Sequence, residues 1–89
     1  MYYVYVLQSK SDKMFYTGFT DNLTRRIEEH NLGMSSATKG RRPFELIYYE
    51  FCLNPRDARR RERYLKTTWG KRYIKSRISN YLNEANDST

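Results

Sequence analysis

A chain of 89 residues has room for one compact domain and not two, and with 38% hydrophobic residues its core must be small. Seventeen lysines and arginines against ten acidic residues leave a net charge of +7, which points to an anionic partner, a nucleic acid before an acidic membrane surface. The lone Cys52 excludes an internal disulfide, and no apolar run is long enough for a membrane span or a signal peptide, so a reducing, cytoplasmic setting is expected.

Residues 2–8, YYVYVLQ, are aromatic and β-branched and read as a strand. A polar turn over residues 9–12 leads to a second strand over residues 14–19, so the pair reads as a hairpin. A turn centred between Lys10 and Ser11 sets Tyr5 opposite Tyr16 and Tyr3 opposite Gly18, with Gly18 leaving room above the sheet beside the tyrosine pair. Asp21 is the expected N-cap of a helix whose apolar stripe is Leu23 and Ile27, and Asn31-Leu32-Gly33 is its stop. Residues 34–43 form a loop containing Lys39, Gly40, Arg41 and Arg42, and residues 44–51 form a third strand. Asn54-Pro55 starts a helix expected to reach Trp69, where Gly70 interrupts it. A further helix carries Ile74, Ile78, Tyr81 and Leu82 on one face. The domain therefore spans residues 1–82, and residues 83–89 form a polar tail expected to fray.

The charge is unevenly spread. Residues 56–77 hold ten basic side chains against Asp57 and Glu62, a local +8, so the rest of the chain sums to −1. Such an excess repels itself on an idle surface and suits a phosphate-facing one.

Glu62 shares a helical stripe with Ala58, Leu65 and Trp69, so a carboxylate occupies an apolar, core-facing row. A desolvated carboxylate needs a partner, either a neighbouring arginine or a hard divalent cation. Arg26 and His30 lie four residues apart on one helix face, just after the tyrosine strand. Tyr5 and Tyr16 are ordinary aromatic packing or functional groups, and a tyrosine accepts a proton only if nearby positive charge lowers its pKa from about 10. Zinc-type Cys/His clusters, a phosphate-binding glycine-rich loop and a nucleophile-elbow serine are all lacking in the sequence.

The ordered set of Tyr3-Val4-Tyr5, Tyr16-Thr17-Gly18, Arg26, His30, a basic loop and Glu62 resembles the GIY-YIG nuclease superfamily. The likeness extends from residue 1 to about residue 69 and is strongest to the small stand-alone UPF0213/YhbQ-like members, with the N-terminal nuclease domain of the UvrC repair subunit as a relative. It implies an α/β domain of the α+β type, a three-stranded antiparallel sheet with flanking helices. It also implies that Glu62 holds a single Mg²⁺ or Mn²⁺, that Arg26 polarises the scissile phosphate, and that Tyr5 or Tyr16 positions or deprotonates the attacking water with His30 in support. Two departures stand out: tyrosine replaces the leading glycine of the first motif, and Asn80 is the available substitute for the asparagine of many family nucleases, at a different spacing.

These features lead to a metal-dependent endonuclease acting on DNA more than RNA, structure-directed or weakly sequence-selective, in repair or recombination. The expected nucleic-acid contacts are Lys39, Arg41, Arg42, Arg59, Arg60, Arg63, Lys66, Lys71 and Arg72. The alternative is a non-catalytic nucleic-acid-binding module on the same fold.

Overall fold

The near-continuous apolar run of the first strand, β1 (Tyr2–Ser9), suits a position buried on both faces, and β1 is the central strand of the sheet. A computed structural model describes residues 1–87 of the chain. β2 (Phe15–Thr20) and β3 (Phe44–Cys52) pair with β1 on either side, both antiparallel. Alternation along β1 divides the core in two. Val4 and Val6 pack on Ala58 and Leu65 of α2 (Pro55–Leu65) and Ile74 of α3 (Thr68–Arg77). Tyr5 and Leu7 face the other way, with Phe44, against Leu23 and Ile27 of α1 (Leu23–Asn31). The result is the α+β architecture expected, a three-stranded sheet with helices on both faces. No helix among the described residues is long and apolar enough to cross a membrane.

The hairpin register differs from the expected one. Tyr5 pairs with Gly18, Tyr3 with Thr20, and Leu7 with Tyr16. The centre of the turn lies one residue further along the chain than assumed, between Ser11 and Asp12. The Ser9 hydroxyl accepts from the backbone N–H groups of Ser11 and Asp12, and Lys13 takes a left-handed backbone (φ 65°), so the chain closes only where the Ser9 N–H meets the Met14 carbonyl. A two-residue slip keeps every side chain on its own face, so Tyr5, Tyr16 and Gly18 still share one.

Three helix boundaries also move. The N-cap of α1 is Asn22, whose side chain accepts from the Arg25 N–H, while Asp21 pairs with Arg25 in solvent. Asn54 caps α2 as expected, but α2 ends at Leu65, and Thr67 caps α3 by accepting from the Gly70 N–H. Gly70 therefore sits inside α3 and does not interrupt a helix. Its absent side chain is what lets α3 lie against the end of α2, because a Cβ there would overlap the Tyr64 carbonyl and the Leu65 Cα. Trp69, placed on the core stripe by periodicity, is 68% exposed, since the stripe ends with α2. Ile78 caps α3, and α4 (Ser79–Asp87) carries the polar residues 83–87 as helix; the last two residues of the tail lie outside the described ones.

Candidate active site

The site is built around the crossing of Tyr5 over Gly18. The Tyr5 ring lies across the neighbouring strand at that position, where any side chain would overlap its hydroxyl and ring edge. Gly18 is thus required by a close approach, which carries the Tyr5 hydroxyl towards the β2 edge of the sheet. There it meets His30 Nε2 at 2.7 Å. His30 stands in the last turn of α1 and is fully buried. Its Nδ1 lies 2.7 Å from the Thr38 hydroxyl, in the loop that precedes a short 3₁₀ turn (Lys39–Arg41). Tyr16 completes the cluster, with its ring 5.1 Å from the imidazole, edge to face.

Both ring nitrogens of His30 are hydrogen-bonded to buried hydroxyls. Thr38 is fully buried, and its hydroxyl has no other acceptor among the described hydrogen bonds. The buried Tyr5 hydroxyl likewise has no other acceptor among them, and a neutral imidazole, with one acceptor nitrogen, can take the hydrogen bond of only one of the two hydroxyls.

Electrostatics agree with a neutral pair. Burial pushes the Tyr5 hydroxyl up to about 12, against the opposing effect of the neighbouring Arg26 guanidinium. Burial, and next the positive charge of Arg26, hold His30 down to about 4. The lowered tyrosine pKa needed for a proton acceptor is therefore not found at Tyr5, because desolvation outweighs the single arginine. As it stands Tyr5 keeps its proton. Arg26, one turn before His30 on α1, reaches the Tyr5 hydroxyl while its Nη1 donates to Glu29 at 3.1 Å. Its side chain is 31% exposed, so charge is available at the mouth of the cluster.

Glu62 approaches from α2 and is near enough to influence Tyr5 electrostatically. Its side chain is only 12% exposed, and each carboxylate oxygen is engaged by a cation, Oε1 by Arg59 at 3.4 Å and Oε2 by Lys66 at 3.2 Å. The neighbouring-arginine partner weighed from the sequence is thus present. Among the described residues no group of three or more His, Cys, Asp or Glu side chains stands together. That donor set suits a hard divalent cation that takes one carboxylate and fills its shell with water and phosphate oxygens, and it does not suit zinc.

The fold therefore brings Tyr5, Tyr16, Arg26, His30 and Glu62 to one edge of the sheet, whereas Asn80 lies exposed on α4. The basic residues divide by what they touch. Arg59 lies over the Phe19 ring at 3.9 Å and bridges to Glu62, Arg60 pairs with Asp57, and Arg72 stacks on the exposed Trp69. Arg63, Lys66, Lys71, Lys39 and Arg42 are exposed. Arg41 is turned to the hairpin, where it binds Asp12 at 2.7 Å and the Phe15 carbonyl. Arg61, inside the basic stretch, holds Glu50 at 2.6 Å and ties α2 to β3. Thr38 was missed by sequence reasoning: it sits in an aperiodic loop, and only the path of that loop brings it to His30.

Comparison with known proteins gives a consistent picture. A family model described as the GIY-YIG catalytic domain matches residues 1–75. A UPF0213 protein of Clostridium perfringens (strain 13 / Type A) is 49% identical over 67 residues, covering 74% of this chain and 71% of that protein. A UPF0213 protein of Staphylococcus haemolyticus is 43% identical over 67 residues, covering 74% of this chain and 80% of that one. The solution NMR structure of a UPF0213 protein from Bacillus halodurans aligns over 100% of this chain and 99% of its own, with a TM-score of 0.58 and 34% identity.

Proposed function

Because the chain belongs to the GIY-YIG catalytic-domain family and to its UPF0213 group, we propose that it is an endonuclease hydrolysing phosphodiester bonds, in DNA before RNA, with one Mg²⁺ or Mn²⁺ held by Glu62. The observation that carries this reading is the convergence of Tyr5, His30, Arg26 and Glu62, three different elements and one loop having been arranged around a single edge. Phosphodiester attack needs positive charge where negative charge develops, and an oriented water. Arg26 supplies the first at the scissile phosphate. Tyr5, held in place by its hydrogen bond to His30, helps to position the attacking water against the phosphoryl group. Tyr16, less buried than Tyr5, positions the attacking water. When bound, the cation supplies Lewis-acid stabilisation of the phosphoryl oxygens.

The exposed basic side chains around the site suit phosphates more than base edges, so cleavage is structure-directed or weakly sequence-selective, which suits repair or recombination in the cytoplasm. The pairing of both Glu62 oxygens by Arg59 and Lys66 favours a second reading, a binding module in which the carboxylate is merely a structural partner. Incubation with supercoiled plasmid, a branched DNA junction and a structured RNA, in Mg²⁺, Mn²⁺ or EDTA, separates the two. The nuclease reading expects metal-dependent cleavage, reduced by about 10²-fold or more in Arg26→Gln. Binding without cleavage in every arm contradicts it.

A further inference from the structure

A cleft opens along the β2 edge directly beside the site. It has a volume of about 220 Å³ and reaches from Tyr16 and Phe15 across to Lys66 and Lys71. A second cleft of about 280 Å³ continues it, sharing Phe15 and Lys71 and adding Lys13 and Lys75. No carboxylate lines either one. This sets the pair apart from the cleft between β3 and α2, where Glu50 and Asp57 offset Arg60 and Arg61. Of the four lysines only Lys66 is in an ion pair among the described residues, and its partner is Glu62. The track therefore begins at the candidate metal-binding carboxylate and runs outward.

Each lysine is placed by a different structural device. Lys71 and Lys75 are one turn apart on α3, about 6 Å along its axis. Close packing at Gly70 holds that helix against α2. Lys13 is presented by the left-handed position of the hairpin turn. A row of unpaired ammonium groups over an apolar floor matches a sugar–phosphate backbone, whose charge is regularly spaced and whose counterions are released on binding. Its flexible point charges suit phosphates in any local geometry, while base edges go unread.

We propose that this lysine cleft holds the backbone of the nucleic-acid strand on one side of the scissile bond, so that the footprint is one-sided about the cut. The proposal rests on the nuclease reading for what lies at the Tyr16 end, but the cleft's own role is in binding and is measured without turnover. The test is equilibrium binding in EDTA of wild type and of Lys13→Gln/Lys71→Gln/Lys75→Gln to DNA and RNA oligonucleotides, over a range of salt concentrations. Three lost phosphate contacts should reduce the slope of log affinity against log salt by about 2 for single strands, with a circular-dichroism spectrum unchanged from wild type.

Oligonucleotides shortened from the 5′ or the 3′ end around a fixed cleavage position then test direction. The variant should be weaker than wild type on substrates shortened at one end and equal to it on those shortened at the other. An unchanged salt slope overturns the cleft, as does a defect identical on both truncation series. Failure of cleavage with the lysine effect intact overturns the nuclease reading and leaves the cleft as a binding track.

Discussion

Gly18 shows how one missing side chain places a functional group. The sequence shows a glycine in an aromatic strand and therefore open space, but not which ring fills it, because the occupant depends on a turn position set by the Ser9 hydroxyl and the left-handed Lys13. Gly18→Ala forces the Tyr5 ring off its position. Its hydroxyl then loses His30, and the expected outcome is a destabilisation of about 1–3 kcal/mol together with loss of cleavage, read by urea denaturation and a nuclease assay. An alanine variant with wild-type stability and activity would mean that the tyrosine position is unimportant. His30 and Arg26 were legible as a pair on one helix face; that one is buried and the other at the surface was not, since it depends on the loop carrying Thr38.

The same buried imidazole makes stability depend on pH. His30 is the only histidine in the chain, and its folded-state pKa lies at about 4, below the ordinary 6.5 of the unfolded chain. Between those values the unfolded chain binds the proton and the folded one does not. Stability is therefore full above pH 6.5 and declines as pH falls from 6.5 towards 4, by at most about 3 kcal/mol. Urea midpoints measured across this range should fall for wild type and stay nearly level for His30→Gln. Parallel slopes in the two proteins would show that the imidazole is not the cause.

At the level of elements, the hairpin of β1 and β2 and the capped start of α2 follow directly from local chemistry: two strand-like runs about a polar turn, and Asn54-Pro55 for the cap. The end of α2 does not. A helical stripe from Ala58 to Trp69 is continuous in sequence, yet the chain turns at Thr67 because its hydroxyl satisfies the Tyr64 carbonyl while accepting from the Gly70 N–H. A competing local hydrogen-bond pattern thus overrode the hydrophobic period. Gly70→Ala is the corresponding test. The obstructing atoms are backbone and have nowhere to go, so α3 must separate from α2, with a loss of at least about 1–3 kcal/mol by thermal or chemical denaturation. An increase in stability, as expected for alanine in an ordinary exposed helix, would contradict the close packing.

For the whole molecule, the division of charge between residues 56–77 and the rest was plain from composition, and most of that stretch does face solvent. What composition could not show is which cations are committed to the fold. Arg61 ties α2 to Glu50 and Arg41 ties the loop to the hairpin, whereas Lys66 and Arg59 flank the Glu62 carboxylate. The central claim is that this carboxylate serves turnover and not only the packing of its own helix. It is tested most directly by measuring binding and cleavage in the same samples for wild type and Glu62→Gln, with and without Mg²⁺, on whichever nucleic acid the protein binds. The account predicts comparable affinity in the two proteins, metal-dependent cleavage by wild type, and a loss of about 10²-fold or more in the variant. Equal cleavage by both, or binding with no cleavage by either, would contradict it.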